Sequence, residues 1–225
     1  MSTAQQLMDE VRRTLDDVIG VEADQLWTEA ELLEYANDAE REACIRMRIL
    51  VDSTTTATSR ITVVGATATY VLSTKVISVD RVKMVATSDP ALHPVTRRNL
   101  DLTDPAWEAE TGTPRSFILE EVNTVKSITL YPNPTSGGTL GLTVVRLPIA
   151  DMAVGDAPEI PEPLHKDLMN WMLYRAFSKQ DTAVNQDAKT VSLTKEKFYL
   201  AQFEKVFGER RPVAPGSSKP STFRD

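Results

Sequence analysis

Apolar positions recur with two different periods along this chain, and the changes of period divide it. Up to about residue 50 they return every three or four residues, the spacing of one helix face. From Arg60 to Leu147 they tend to alternate, as in strands with one buried face. From Pro158 the helical spacing comes back. The stretch from Asp156 to Phe177 organises the rest. Pro158, Pro161 and Pro163 hold its approach extended, because each fixes φ and disfavours helix in the residue before it. Pro163 suits a first helical turn, where its missing N–H is not needed. Leu164, Leu168, Trp171 and Met172 then share a face, which Met169, Leu173 and Phe177 widen. This predicts a mostly buried helix over 161–177, packed on helices from the other end of the chain.

Taken in order, Thr3-Ala-Gln-Gln6 fits a capping box. Leu7, Val11, Leu15 and Val18 form the face that follows, and Gly20 can close the helix in a left-handed conformation. A second helix starts at Thr28, with Glu31 reaching back to the cap and Trp27 stapling onto Leu32. Leu32, Tyr35, Ala36, Ala39, Ala43 and Met47 continue its stripe. Glu29, Glu31, Glu34, Asp38 and Glu40 precede Arg41, Arg46 and Arg48, the order that the helix dipole favours. That reading places the carboxylates mostly on a solvated face. Cys44 reads as a small buried hydrophobe.

The hydroxyl-rich run Asp52–Ser59 competes for backbone hydrogen bonds and ends this helix. Strands are expected at 61–64, 69–72, 76–85, 117–119, 125–131 and 140–147. Gly65-Ala66 turns between the first two, and Asn133–Gly138 joins the last two as a hairpin. Without intervening helices the sheet should be largely antiparallel, in a small sandwich or barrel. Asn99–Pro114 is less regular and is anchored by Trp107. After the buried helix, Lys179–Thr182 forms a polar turn. Val184, Ala188, Val191, Phe198, Ala201 and Phe203 suggest a last helix to about Phe207, stopped by Gly208 and Pro212. The expected fold class is α+β: a helical bundle formed by N- and C-terminal helices with an inserted, mostly antiparallel β domain. Its expected parts are 1–55 with 156–208 as helical core, 56–155 as β domain and 209–225 as a flexible arm.

A chain of 225 residues can bury a substantial core in one or two domains. Its net charge of −7 argues against general affinity for nucleic acid or anionic membrane. The single cysteine excludes an internal disulfide framework and fits a reducing compartment. The first residues show no basic, apolar signal pattern, and no apolar run is long enough to span a membrane. Candidate chemistry is sparse. Gly112-Thr-Pro114 has neither the glycine pair nor the lysine of a phosphate loop. His93 and His165 are far apart, with no cysteine cluster to complete a zinc site. Asp151 and Asp156 lack calcium-loop spacing, and no nucleophile elbow is present. No catalytic residue, cofactor or metal is therefore expected, and His165 reads as a packing or capping residue.

The pieces resemble the head–tail connector adaptors of tailed bacteriophages, the neck proteins that dock under the portal. The resemblance covers most of residues 5 to 208. It rests on Leu26-Trp27-Thr28 with Glu31–Ala39, then Trp107, Gly112-Thr-Pro114, Leu130–Pro134 and Arg146-Leu-Pro148. It closes with Pro158–Pro161, His165, Leu168 and Phe198, and order and spacing carry it rather than any one piece. The resemblance implies a non-enzymatic virion protein in the neck, made in the host cytoplasm and forming a dodecameric ring on the portal. The implied partners are the portal protein, a tail nozzle or tail-tube protein, further copies of the chain, and double-stranded DNA passing through without specific binding. The β insertion is larger than in the smallest adaptors, which suggests the podovirus-like, larger members.

Two features bear on that reading. The acidic balance suits a lumen that repels DNA phosphates, or simply keeps the protein soluble. The segment from Glu209 is rich in Pro, Gly and Ser and cannot pack a core. Phe207, Arg210, Arg211, Lys219, Phe223 and Arg224 are the candidate contacts of this arm, with the portal or a neighbouring copy. The competing reading is a β-domain binding module for carbohydrate or a host component, on a helical scaffold. A small enzyme is a third.

Overall fold

The computed structural model describes residues 2–17, 26–85, 90–179 and 186–208, and of 186–191 only the backbone. Its architecture is α+β. The helices are α1 (Ala4–Leu15), α2 (Glu29–Met47), α3 (Thr56–Ser59), α4 (Arg97–Thr103), α5 (Leu168–Ser178) and α6 (Gln186–Phe207). The longer strands are β2 (Arg60–Val63), β3 (Thr69–Val71), β4 (Val76–Met84), β7 (Ser116–Val122), β8 (Val125–Tyr131) and β10 (Gly138–Arg146). Two-residue strands are β1 (Val51–Asp52), β5 (His93–Pro94), β6 (Thr111–Gly112) and β9 (Asn133–Pro134). The chain separates into two compact units. One is built from the two ends of the chain, up to Ile49 and from Pro148, and the other from Leu50–Leu147.

In the helical unit, α1 packs on α2 and α5, α2 on α5 and α6, and α5 on α6. Leu7, Met8, Val11, Leu32, Ala36, Leu168, Met172, Phe203 and Phe207 are buried there. Both expected capping boxes are formed, by Thr3 with Gln6 and by Thr28 with Glu31. The helix ends differ. α1 stops at Leu15, and Asp16 takes the left-handed conformation at φ 57°. The Asp17 N–H donates to the Arg12 carbonyl at 3.0 Å and the Asp16 N–H to that of Arg13 at 3.4 Å, a Schellman closure. The Asp17 carboxylate then returns to the Arg12 guanidinium at 2.6 Å, with both side chains buried. Val18 and Gly20 lie outside the described residues. α2 ends at Met47 rather than in the hydroxyl run, with Arg48 left-handed at φ 54°. The helix expected over 161–177 opens with a 3₁₀ turn, Glu162–Leu164, and becomes α5 only at Leu168.

In the β unit, β10 is the central strand. β1 and β2 pair along one edge of it and β4 along the other, all antiparallel. The second sheet runs β3-β8-β7-β5, antiparallel except for the short β5·β7 pairing. Leu140, Leu142 and Val144 of β10 share one core with Val63, Val79, Val82, Leu72, Phe117, Ile128 and Leu130. Each sheet supplies its inward face, as the alternation in the sequence requires.

The expected hairpin at Asn133–Gly138 does not form. β8 and β10 lie in different sheets, and this segment carries the chain across. On the way β9 pairs in parallel with β6, and the Ala66 N–H donates to the Pro134 carbonyl at 2.8 Å. Gly65 lies so close to the crossing chain that a Cβ there would meet the Thr135 carbonyl oxygen at 3.0 Å. The tight hairpin is β7–β8. Asn123 and Thr124, both at positive φ (49° and 67°), form its two-residue turn, with Val122 opposite Val125.

Residues 50–55 belong to the β unit, so its border falls earlier than 56. Asp52 explains why. Its carboxylate accepts the Thr54 and Thr55 N–H groups at 2.8 and 3.1 Å, and its second oxygen accepts from Arg146 Nε at 2.7 Å. Burial alone would raise this carboxyl, but the bonds from Thr55, Thr54 and Arg146 outweigh it and hold Asp52 well below the usual carboxylate range. The side chains are only 8% (Arg146) and 7% (Asp52) exposed. Asp52→Asn should therefore lower the stability of the β unit by about 3–5 kcal/mol near neutral pH. A depressed carboxyl stabilises above its ordinary range and loses that contribution on acidification. The gap between wild type and variant in urea denaturation should thus narrow from about pH 7 to about pH 3.

Candidate interface site

The helical unit is closed by the segment that returns from the β unit, residues 148–160. α2 offers it Asn37, Glu40 and Arg41, at three- and four-residue spacing on one side. Asn37 accepts the Met152 N–H at 2.7 Å and donates to the Met152 carbonyl at 3.3 Å, as a strand neighbour would. Arg41 pairs with Asp151 at 2.7 Å. Glu40 accepts the N–H groups of Glu159 and Ile160. On the other side the first amides of α1 donate to the segment, Ala4 to the Asp156 carbonyl at 2.7 Å and Gln5 to that of Val154 at 2.9 Å. Donors that every helix start leaves over are thereby used. Glu40 is 1% exposed, which corrects its expected place on a solvated face. Burial raises its carboxyl above the ordinary range, against the lowering effect of the Ile160 and Glu159 N–H bonds. His165, also buried, binds the Ile160 carbonyl through Nε2 at 2.8 Å, a packing and capping role.

α6 ends at Phe207, and Gly208 is the last described residue. The Phe207 ring lies 4.5 Å from that of Phe203, which lies 5.1 Å from Trp171. Phe207 is 1% exposed and so works as a core residue here, not as an exposed anchor. Arg210, Arg211, Lys219, Phe223 and Arg224 lie outside the described residues. In the sequence Arg46 reads only as a charge favoured by the helix dipole. Its guanidinium sits 5.3 Å from the centre of the Trp171 ring and 5.2 Å from that of Phe203. It donates to Glu42 at 3.1 Å, to Glu204 at 3.3 Å and to the Gly208 carbonyl at 3.0 Å. Gly208, at φ 79°, ends the helix with its N–H on the Glu204 carbonyl. Arg46 thus grips the residue that ends α6. Phe198, expected on the buried stripe, is 55% exposed. The inward face follows Ser192, Phe203 and Phe207 instead.

In the β unit a second, smaller core lies on the outer face of the second sheet. Trp107, Leu100 and Ile118 are buried there, and Trp107 Nε1 donates to Asp101 at 2.8 Å. Arg97 lies over the Trp107 ring and pairs with Glu108 and Glu120. The Tyr131 hydroxyl lies between Glu110 and Asp104, at 2.6 and 2.9 Å, and these bonds make it hold its proton more tightly than an ordinary tyrosine. Val71, Val122 and Val125 are exposed around the hairpin end of the same sheet. Among the described residues of the β unit, the aromatic side chains Tyr70, Trp107, Phe117 and Tyr131 are all buried or half-buried. Among the described residues no group of three or more His, Cys, Asp or Glu is placed to hold a metal ion. Among them, too, no helix is long and apolar enough to cross a membrane.

A family model described as SU10 adaptor protein matches residues 2–221. The chain belongs to the SU10 adaptor protein family. Comparison with curated proteins finds no match. The SU10 adaptor match runs through both units, so the whole architecture carries it and not the helices alone. It agrees with the adaptor resemblance read from the sequence and makes the chain a phage structural adaptor. In this SU10 adaptor the groups that close the helical unit and the end of α6 are only partly legible in the sequence. The four-residue step from Glu42 to Arg46 marks a helix ion pair, but not the aromatic slot that Arg46 fills.

Arg46→Ala should cost about 1–3 kcal/mol, from lost contact with two rings and two buried-side hydrogen bonds. Amide exchange at Phe207 and Gly208 should quicken while that of α1 stays as in wild type. Arg46→Lys should recover only part, because an ammonium cannot keep both the stacked and the forked contacts.

Proposed function

We propose that this SU10 adaptor is the head-to-tail adaptor of the virion neck: a dodecameric ring under the portal, joining capsid to tail without catalysis. The observation that carries this is the family match across residues 2–221. The resemblance read from Trp27–Ala39, Trp107 and Pro158–Pro161 supports the same role and the podovirus-like, larger subclass. In this reading the protein assembles in the host cytoplasm. The helical unit is the terminal bundle that touches neighbouring copies and the portal. The β unit serves the tail nozzle or tail-tube side or faces outward. The arm after Gly208 reaches the portal or a neighbouring copy. With Phe207 in the core, its apolar anchor is Phe223, helped by Arg210, Arg211, Lys219 and Arg224.

Charge distribution supports free passage of DNA. Residues 50–147 carry nine Lys or Arg and nine Asp or Glu, so the net charge of −7 belongs to the rest of the chain. If the helical unit lines the channel, phosphates gain nothing there by counterion release.

Mixing the protein with purified portal rings and imaging the product tests this reading. One ring of adaptor per portal is expected, and no binding to portals would overturn it. Deleting residues 209–225 should leave the melting temperature nearly unchanged and weaken docking, most at low salt, where the arm's charges are least screened. Undiminished docking of the truncated protein at every salt concentration would remove the arm from the account.

A further inference from the structure

The Ile160 peptide is held from both sides by titratable side chains. Its N–H donates to Glu40 at 3.1 Å, and its carbonyl accepts from His165 Nε2 at 2.8 Å. The Glu159 N–H donates to the same Glu40 oxygen. Glu40, Ile160 and His165 are each at most 2% exposed. His165 Nδ1 is buried without a hydrogen-bond partner. We propose that Glu40, Ile160 and His165 form a pH-sensitive latch, which closes the return segment onto α2 and lets it open while the helices stay folded.

The surrounding charges leave Glu40 as the group that decides. On α2, Asp38 pairs with Arg41 and with Arg175 of α5, Arg41 also with Asp151, and Arg46 with Glu204 of α6. From the segment, Glu159 opposes a charge on Glu40, and from the approach to α5 His165 favours it. α1 meets the segment through the Ala4 and Gln5 amides. In the closed latch burial raises the Glu40 carboxyl more than the two N–H groups lower it. In the open latch the carboxyl meets water and returns to its ordinary range. A proton on Glu40 therefore favours closure, and opening grows as pH rises toward and through the raised value.

Amide exchange of Glu159 and Ile160, read by NMR from about pH 4 to about pH 8 and divided by the unstructured rate at each pH, tests this. Protection should fall with rising pH, by about tenfold for each unit by which burial has raised the carboxyl. Core amides of α2 and α5 should hold. In Glu40→Gln a neutral oxygen accepts at every pH, so protection should be flat. In wild type the Glu40 carboxyl carbon should titrate over the same range as the loss of protection, a readout independent of whether the variant folds. Flat protection in wild type, an equal fall in Glu40→Gln, or a carboxyl that titrates in its ordinary range would each overturn the latch.

Discussion

A carboxylate that accepts two backbone amides inside the helical unit is the constraint on which the rest of that unit depends. Glu40 sits on α2, which touches α1, α5 and α6. By holding Glu159 and Ile160 it fixes the place where the chain, after a β unit of about a hundred residues, rejoins the helices. Asn37 and Arg41 hold the same segment earlier, at Met152 and Asp151. The Ala4 and Gln5 amides hold it from the opposite side. A segment with Pro148, Pro158 and Pro161 offers fewer N–H groups and cannot form a helix of its own. Side chains and helix-end amides take over the pairing that secondary structure would otherwise supply. The cost is a carboxyl out of water, which the two N–H bonds offset in part.

The β unit solves the matching problem differently. Its return is made by β10, which pairs on both edges and ends beside β1, so that the two borders of the unit lie together. Asp52 and Arg146, one on β1 and one at the end of β10, are bonded at 2.7 Å within this unit. Entry and exit are thus tied together by a buried ion pair, and each unit closes through its own contacts. An adaptor that must hold its shape while partners dock benefits from that arrangement.

What was legible in the sequence was local. Thr3 with Gln6 and Thr28 with Glu31 announce helix starts because a capping box needs only four neighbouring residues. Gly208 announces a stop for the same reason. The long strands follow from alternation, and Trp107 is the loop anchor it promised to be. The failures required knowledge of distant partners. Proline and glycine at Asn133–Gly138 mark a change of direction, but the same residues serve a hairpin and a crossing between sheets. Asn123-Thr124 lacks the glycine that usually marks a two-residue turn. Glu40 looks like one more charge on an acidic helix until the segment 119 residues later lies on it. Phe198 fits a helical stripe in the sequence, yet the face chosen is the one that brings Phe203 onto Trp171. The family, by contrast, was legible from order and spacing alone, which needs no partner.

The central claim is that the two ends of the chain form one helical unit through their own contacts. Its most direct test is to express residues 1–49 and 148–225 as separate chains and mix them. The account expects a one-to-one complex with a strongly helical circular dichroism spectrum and a single cooperative melt, although residues 50–147 are missing. Fragments that stay apart, or that associate without gaining helix, would show that the β unit is needed to bring the ends together and would contradict it.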